Sequence, residues 1–244
     1  MIPEIISIGC KVEIRIVQQA RRANEDKSAN VFYVTKVADV DRENNVLYII
    51  APVVSGLPKY LEANLRYDFI FVTEYGLYRA EGQCIGRKKE GEIMMNVIAL
   101  TSKTAKFQRR EYYRESCSIP VDFVEISDEV AKLDSIVEVQ KASKEEQNLP
   151  DFGTILDISG GGIRYSTPAK VKTNVYNLYL FEIGQDNDKK EIMVIGYVIA
   201  SDPVPNRTDL YHNRVQFVFK NEKEREKIVH FVFEEQRRKR QNGK

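Results

Sequence analysis

The chain has 244 residues, 43% hydrophobic and 30% charged, the composition of an ordinary globular protein with room for one large or two small cores. Its 37 basic and 36 acidic side chains leave a net charge of +1, so no global field draws it to nucleic-acid polymers or membranes, and any anion-binding charge must be local. The most apolar run, Leu47–Val54, is far too short to cross a bilayer, and Cys10, Cys84 and Cys117 form no C-x-x-C pair, which argues for free thiols over a disulfide framework or zinc knuckle.

The N-terminal Met-Ile-Pro-Glu has no basic stretch before its apolar residues, so no signal peptide is expected, and the reading is a cytoplasmic protein without membrane insertion. Val12, Ile14 and Ile16 alternate with Glu13 and Arg15, the period of a half-buried strand. Strand signals follow at Val31–Val40, Val46–Val53, Tyr67–Thr73, Leu77–Cys84 and Ile93–Leu100, with breaks at Asp41–Asn45, Ser55–Pro58, Glu74–Gly76 and Gly86–Gly91. Short strands at this spacing predict a barrel or sandwich rather than a βαβ fold.

Thr101–Arg114 is polar and basic without a core-forming period and reads as a connector, placing one domain at 1–104 and a second at 105–244. Strands resume at Ile119–Ile126, Gly153–Ile158, Gly162–Thr167, Val175–Ile183, Ile192–Ala200 and Tyr211–Phe219. The acidic stretch Ser127–Pro150 reads as a long loop with room for a short strand at Ile136–Val139. A helix closes the chain. Asn221 and Glu224 have capping-box spacing, Ile228, Phe231 and Val232 form an apolar stripe, and Arg237–Arg240 reads as a solvated end. The fold class is therefore mainly β, two small barrel or sandwich domains with a C-terminal helix.

Two clusters can carry chemistry. Gln108-Arg109-Arg110-Glu111-Tyr112-Tyr113-Arg114 sets three guanidinium groups among two tyrosines, and guanidinium binds phosphate bidentately and stacks on flat rings. Asp157-Ile158-Ser159-Gly160-Gly161-Gly162 lies between two strand signals. Its carboxylate suits the two donors of a guanine edge, and its glycines permit close backbone approach. Taken alone, the first also reads as a solvated linker, and the second as a hairpin turn with Asp and Ser supplying turn chemistry.

Catalysis finds little support: His212 and His230 pair with no evident nucleophile, and no G-x-S-x-G, H-E-x-x-H or P-loop pattern occurs.

In order, Arg110-x-x-x-Arg114 followed by Asp157-x-Ser159-x-x-Gly162 resembles the two-part signature of PilZ domains, receptors for cyclic di-GMP. The tail YHNRVQFVFKNEKEREKIVHFVFEEQRRKR resembles that domain's last strand and terminal helix. Upstream, VEIRIVQQ, VFYVTKVADVDRENNVLYIIAPV and GLYRAEGQCIGRKKEGEI are similar to the N-terminal split barrel of flagellar-brake (YcgR-like) proteins of the Gram-positive type. The resemblance implies that both domains are small β-barrels, and it implies a non-enzymatic receptor with cyclic di-GMP as its ligand and no other cofactor or metal. Arg110 and Arg114 would hold phosphates, with Arg109 a subsidiary member. Asp157 and Ser159 would read a guanine edge, and Gly160, Gly161 and Gly162 would allow close approach. The implied output is an interdomain rearrangement acting on flagellar motor or stator proteins, with recruitment to the basal body. Two other readings stay open at this point: a ligand-free interaction module, and a small barrel binding RNA or single-stranded DNA with Tyr112 and Tyr113 as a stacking platform.

Overall fold

In the computed structural model, which describes residues 2–17, 33–63, 65–184, 189–207 and 209–242, the alternation around Val12 and Ile14 becomes strand β1 (Lys11–Ile16). Both side chains are fully buried and Lys11 faces out. The chain divides into two compact units, Met1–Arg109 and Arg110–Lys244.

The first unit continues with β2 (Tyr33–Asp41), β3 (Val46–Ile50), β4 (Val53–Val54), β5 (Leu57–Pro58), β6 (Arg66–Thr73), β7 (Gly76–Glu90), β8 (Ile93–Leu100) and β9 (Ala105–Phe107). Six strands in the order β6-β1-β2-β3-β8-β7 close into a barrel through β6–β7 pairing, with β9 added beside β7. Ile14, Leu47, Ile49, Phe69, Phe71 and Ile98 fill it. Asp68 is fully buried, yet Arg15, opposite it across β1–β6, and Arg79 on β7 each bring Nε to 2.5 Å of its carboxylate. A buried carboxylate is tolerable only when paired in this way.

Several element boundaries differ from the sequence expectation. Strand β7 does not stop at Cys84. It runs through Gly86 to Glu90 by a register slip between Cys84 and Gly86, and Gly91, at positive φ, turns the chain with Glu92. The expected Val46–Val53 strand ends at Ile50, and Val53–Val54 pairs instead with Leu57–Pro58 around a Ser55–Gly56 turn. Val31 and Phe32, expected in the second strand, lie outside the described residues. The Thr101–Arg114 connector contains β9, held by Leu77–Phe107 pairing and by the Arg79 guanidinium 5.6 Å from the Phe107 ring.

The second unit is a closed barrel, β10 (Glu115–Ile126), β11 (Asp151–Ser159), β12 (Gly162–Thr167), β13 (Tyr176–Ile183), β14 (Lys190–Pro203) and β15 (Tyr211–Val218), joined in the order β10-β11-β12-β15-β14-β13. Phe123, Tyr165 and Tyr179 pack with ring centroids 5.2–5.7 Å apart, and the two buried phenols share a 3.3 Å hydrogen bond.

The acidic Ser127–Pro150 stretch is not the expected loop with a short strand. It forms helices α1 (Asp128–Ala131) and α2 (Ile136–Glu145). Ser127 caps the first, and Ser135 with Glu138 makes a reciprocal capping box on the second. The physical reason lies on the barrel wall: Leu178 and Ile195, paired across β13–β14, are buried against Ile126, Ala131 and Val139. An outward apolar pair of this kind demands a cover, and the two helices supply it.

Helix α3 (Glu222–Asn242) closes the chain with Ile228 and Val232 buried in the barrel's core cluster. Asn221 Oδ1 accepts the Lys223 N–H at 2.7 Å, but Glu224 accepts a hydrogen bond from the Lys220 backbone, so the expected capping box is replaced by a longer reach. No helix among the described residues is long and apolar enough to cross a membrane.

The buried acids of the second barrel set its response to alkali. Burial pushes the Tyr165 phenol from 10.0 up to about 12 and the Tyr179 phenol well up; burial, then Asp157 and Glu115, push the Cys117 thiol from 9.0 up to about 12. The folded state keeps protons that the unfolded chain releases, so this stability is complete below pH 9.0 and lost as pH climbs toward 12. Urea unfolding of the second unit should be flat from about pH 7 to 9, and Tyr165 alone should withdraw roughly 2–3 kcal/mol by pH 12. Tyr165→Phe should shrink that loss.

Candidate nucleotide-binding site

The sequence Asp157–Gly162 builds the β11–β12 hairpin. Ser159 pairs with Gly162, leaving Gly160 and Gly161 as a two-residue turn. Ser159 is 7% exposed; its hydroxyl donates to Gly162 O at 3.1 Å and accepts the Gly161 N–H at 3.4 Å. The hydroxyl thus already performs turn chemistry. Gly162 is required by close approach: a Cβ there would fall 2.0 Å from Val215 O on the neighbouring strand.

Asp157 stands two residues before Ser159 with its carboxylate half-buried, and Oδ2 accepts the Arg164 Nε–H at 2.6 Å. The sequence reading assigned Arg164 no part. Its only signal was its place in strand register opposite Asp157, which needs the bulge between Ile155 and Asp157 to be known.

The arginine segment is positioned by its neighbours. In the first unit, Arg109 Nη1 donates to Glu13 Oε2 at 2.6 Å. In the second, Arg110 and Arg114 are exposed, and between them the ring of Tyr112 lies on the glycine turn. A Cβ on Gly160 would sit 2.6 Å from Tyr112 Cδ1 and 2.6 Å from Val229 Cγ2; one on Gly161 would sit 3.2 Å from Tyr112 Cδ2. The Arg225 guanidinium lies 5.9 Å from the Tyr112 ring and 5.0 Å from that of Phe219. This tyrosine therefore brings the arginine segment, the glycine turn and helix α3 together.

Immediately after Arg114, the buried Glu115 pairs with Lys239 near the end of α3, and Lys239 Nζ also donates to Ser116 O at 3.0 Å. The Glu115 carboxylate holds the Lys239 ammonium above its usual value. The basic helix end is thus not simply solvated, because Lys239 ties it to the first residues of β10. Arg238 pairs with Glu235 on the same helix. No group of three or more His, Cys, Asp or Glu among the described residues is arranged to hold a metal.

Guanidinium groups suit phosphates and a carboxylate suits a base with paired donors, which is the chemistry these residues offer in the second unit.

Comparison with known proteins bears on this geometry. The family model described as "PilZ domain" matches residues 108–234, and "Flagellar protein YcgR" matches 7–99. The Bacillus subtilis inhibitor of motility MotI/DgrA is similar in structure, with a TM-score of 0.67 and 18% identity over 96% of this chain and 100% of that one. Escherichia coli YcgR in complex with c-di-GMP has a TM-score of 0.51 and 10% identity over 96% of this chain and 87% of that one. At these identities the likeness extends to the fold. Among curated proteins, none matches.

Gly160→Ala tests the seat of Tyr112. The added methyl must displace Tyr112 or Val229, costing about 1–3 kcal/mol of stability, with faster amide exchange across residues 110–114. In a Tyr112→Ala background the same substitution should cost less, since the seat is already empty.

Proposed function

The chain belongs to the PilZ-domain family, and we propose that it is a non-catalytic cytoplasmic receptor for cyclic di-GMP that regulates flagellar motility. The observation that carries this reading is the Tyr112 ring on Gly160–Gly161, which draws the two halves of the signature to one face of the second barrel. Arg110 and Arg114 grip the phosphates as charge-assisted donors. Asp157 accepts the N1–H and exocyclic amine of a guanine. Gly160 and Gly161 let the base reach the backbone once the Tyr112 ring is displaced from them, Gly162 accommodates the neighbouring Val215 carbonyl, and Ser159 keeps the turn closed from within. Arg109 joins the phosphate contacts when it exchanges Glu13 for the ligand.

Binding also changes the arrangement of the two units. The motivating observation is that the doubled arginine straddles their division, Arg109 ending the first and Arg110 beginning the second. Small-angle scattering curves with and without cyclic di-GMP should then differ; superimposable curves would remove the rearrangement and leave binding standing. The match of residues 7–99 to a flagellar protein model supports a motility output, through motor or stator proteins at the basal body.

One observation favours a second reading. Ser159 spends its hydroxyl inside the turn and Tyr112 covers the glycines, which also suits an interaction module with no ligand.

Calorimetric titration with cyclic di-GMP, with GTP as control, decides between them. Saturable binding is expected, and losing one charge-assisted contact in Arg114→Ala or Asp157→Ala should weaken it by about one to two orders of magnitude. The affinity should fall only shallowly with salt, because the ligand has two phosphates rather than a polymer's many. No heat and no thermal stabilisation at high ligand concentration would leave the interaction module.

A further inference from the structure

Strand β11 contains one residue more than a regular ladder allows. Ile155 pairs with Tyr165, but Asp157, not Leu156, pairs with Arg164, and Ile158 pairs with Ile163. On the other side β10 slips its register over the same stretch, between Ser116 and Ile119. The extra residue reverses the alternation. Ile155 and Ile158 both enter the core at 0% exposure, three positions apart, and Asp157 is turned outward. Bulges are a common means of re-aiming one side chain. Arg164, between the buried Ile163 and Tyr165, is outward on the partner strand and meets it.

The resulting pair has a definite geometry. Arg164 Nε approaches Asp157 Oδ2 at 2.6 Å, with the carboxylate 14% and the arginine side chain 38% exposed. A carboxylate has roughly four acceptor positions on its two oxygens. The arginine occupies one on Oδ2. Enough remain for the two parallel donors of a guanine edge, with the plane of the carboxylate now fixed by its partner. A freely rotating Asp would order itself only on binding, at an entropic cost, and would accept single donors from other bases nearly as well.

We propose that Arg164 is a positioning residue for base recognition: it locks the Asp157 carboxylate in the orientation that reads guanine, and so sets the preference for guanine over bases offering a single donor. This rests on the reading that Asp157 contacts the base of a cyclic dinucleotide. Arg164 touches no base and acts through Asp157.

The test is titration of the full chain with cyclic di-GMP and with its inosine analogue, which lacks the exocyclic amine. The variants are Arg164→Ala, Arg164→Lys, Asp157→Ala and the double variant Asp157→Ala/Arg164→Ala. Arg164→Ala should weaken cyclic di-GMP binding about tenfold, the scale of one lost charge-assisted contact, and should narrow the preference for guanine over the inosine analogue. Arg164→Lys should restore part of both. The double variant should bind no more weakly than Asp157→Ala alone, because the two residues act as one unit. Losses that multiply in the double variant, or a guanine preference untouched by Arg164→Ala, would overturn the inference with cyclic di-GMP binding intact. A wild-type chain that binds neither ligand would remove the receptor reading, and this inference with it. Should Arg164→Ala melt at a clearly lower temperature, Arg164→Met, which keeps the side-chain packing but carries no donor, gives the same comparisons.

Discussion

The ring of Tyr112 resting on Gly160 and Gly161 is the contact on which the functional face of the second barrel depends. It exists because neither glycine carries a Cβ: at Gly160 the added carbon would lie 2.6 Å from the ring and from Val229 alike. The glycines therefore serve the ligand-free fold first, by seating a side chain from the arginine segment. Arg110 and Arg114 flank that seat at two residues on either side, so their reach is set by where the tyrosine sits. Helix α3 completes the arrangement through Val229 and Arg225 above, and through Lys239 on Glu115 just beyond.

Charge placement in both barrels follows one rule. The buried and half-buried acids meet a base supplied by another element: Asp68 meets Arg15 and Arg79, Glu115 meets Lys239, and Asp157 meets Arg164. Burying any of these carboxylates alone would cost several kcal/mol. Asp68 is enclosed and its pairing is structural. Asp157 is half-buried and outward on its strand, with acceptor positions left over after pairing, which is the difference the proposed ligand contact uses.

Much of the strand content was legible in the chain because alternation of period two is a local property. Strands β1, β6, β8 and β12 lie where the pattern of Val12–Ile14, Tyr67–Thr73, Ile93–Leu100 and Gly162–Thr167 puts them. The continuation of β7 past Gly86 was not, since the slip between Cys84 and Gly86 that accommodates the glycine is a property of the pair with β8. Nor were α1 and α2. Their polar composition hid the apolar side, which became meaningful only against Leu178 and Ile195. Their local signal is the pair of serine caps, Ser127 and Ser135.

The residues alone determined the class of fold, the terminal helix and the motif pair Arg110–Arg114 and Asp157–Gly162, because strand periodicity, helix stripes and motif spacing are written within short stretches of chain. The tertiary structure decided what those motifs touch. Tyr112 reaches the glycine turn, Arg164 meets Asp157 across a bulge, Lys239 pins Glu115, and Arg109 pairs with Glu13 in the first unit. Each of these contacts joins residues brought face to face by strand register or helix docking, and register depends on the sum of pairings around a closed barrel rather than on any one segment.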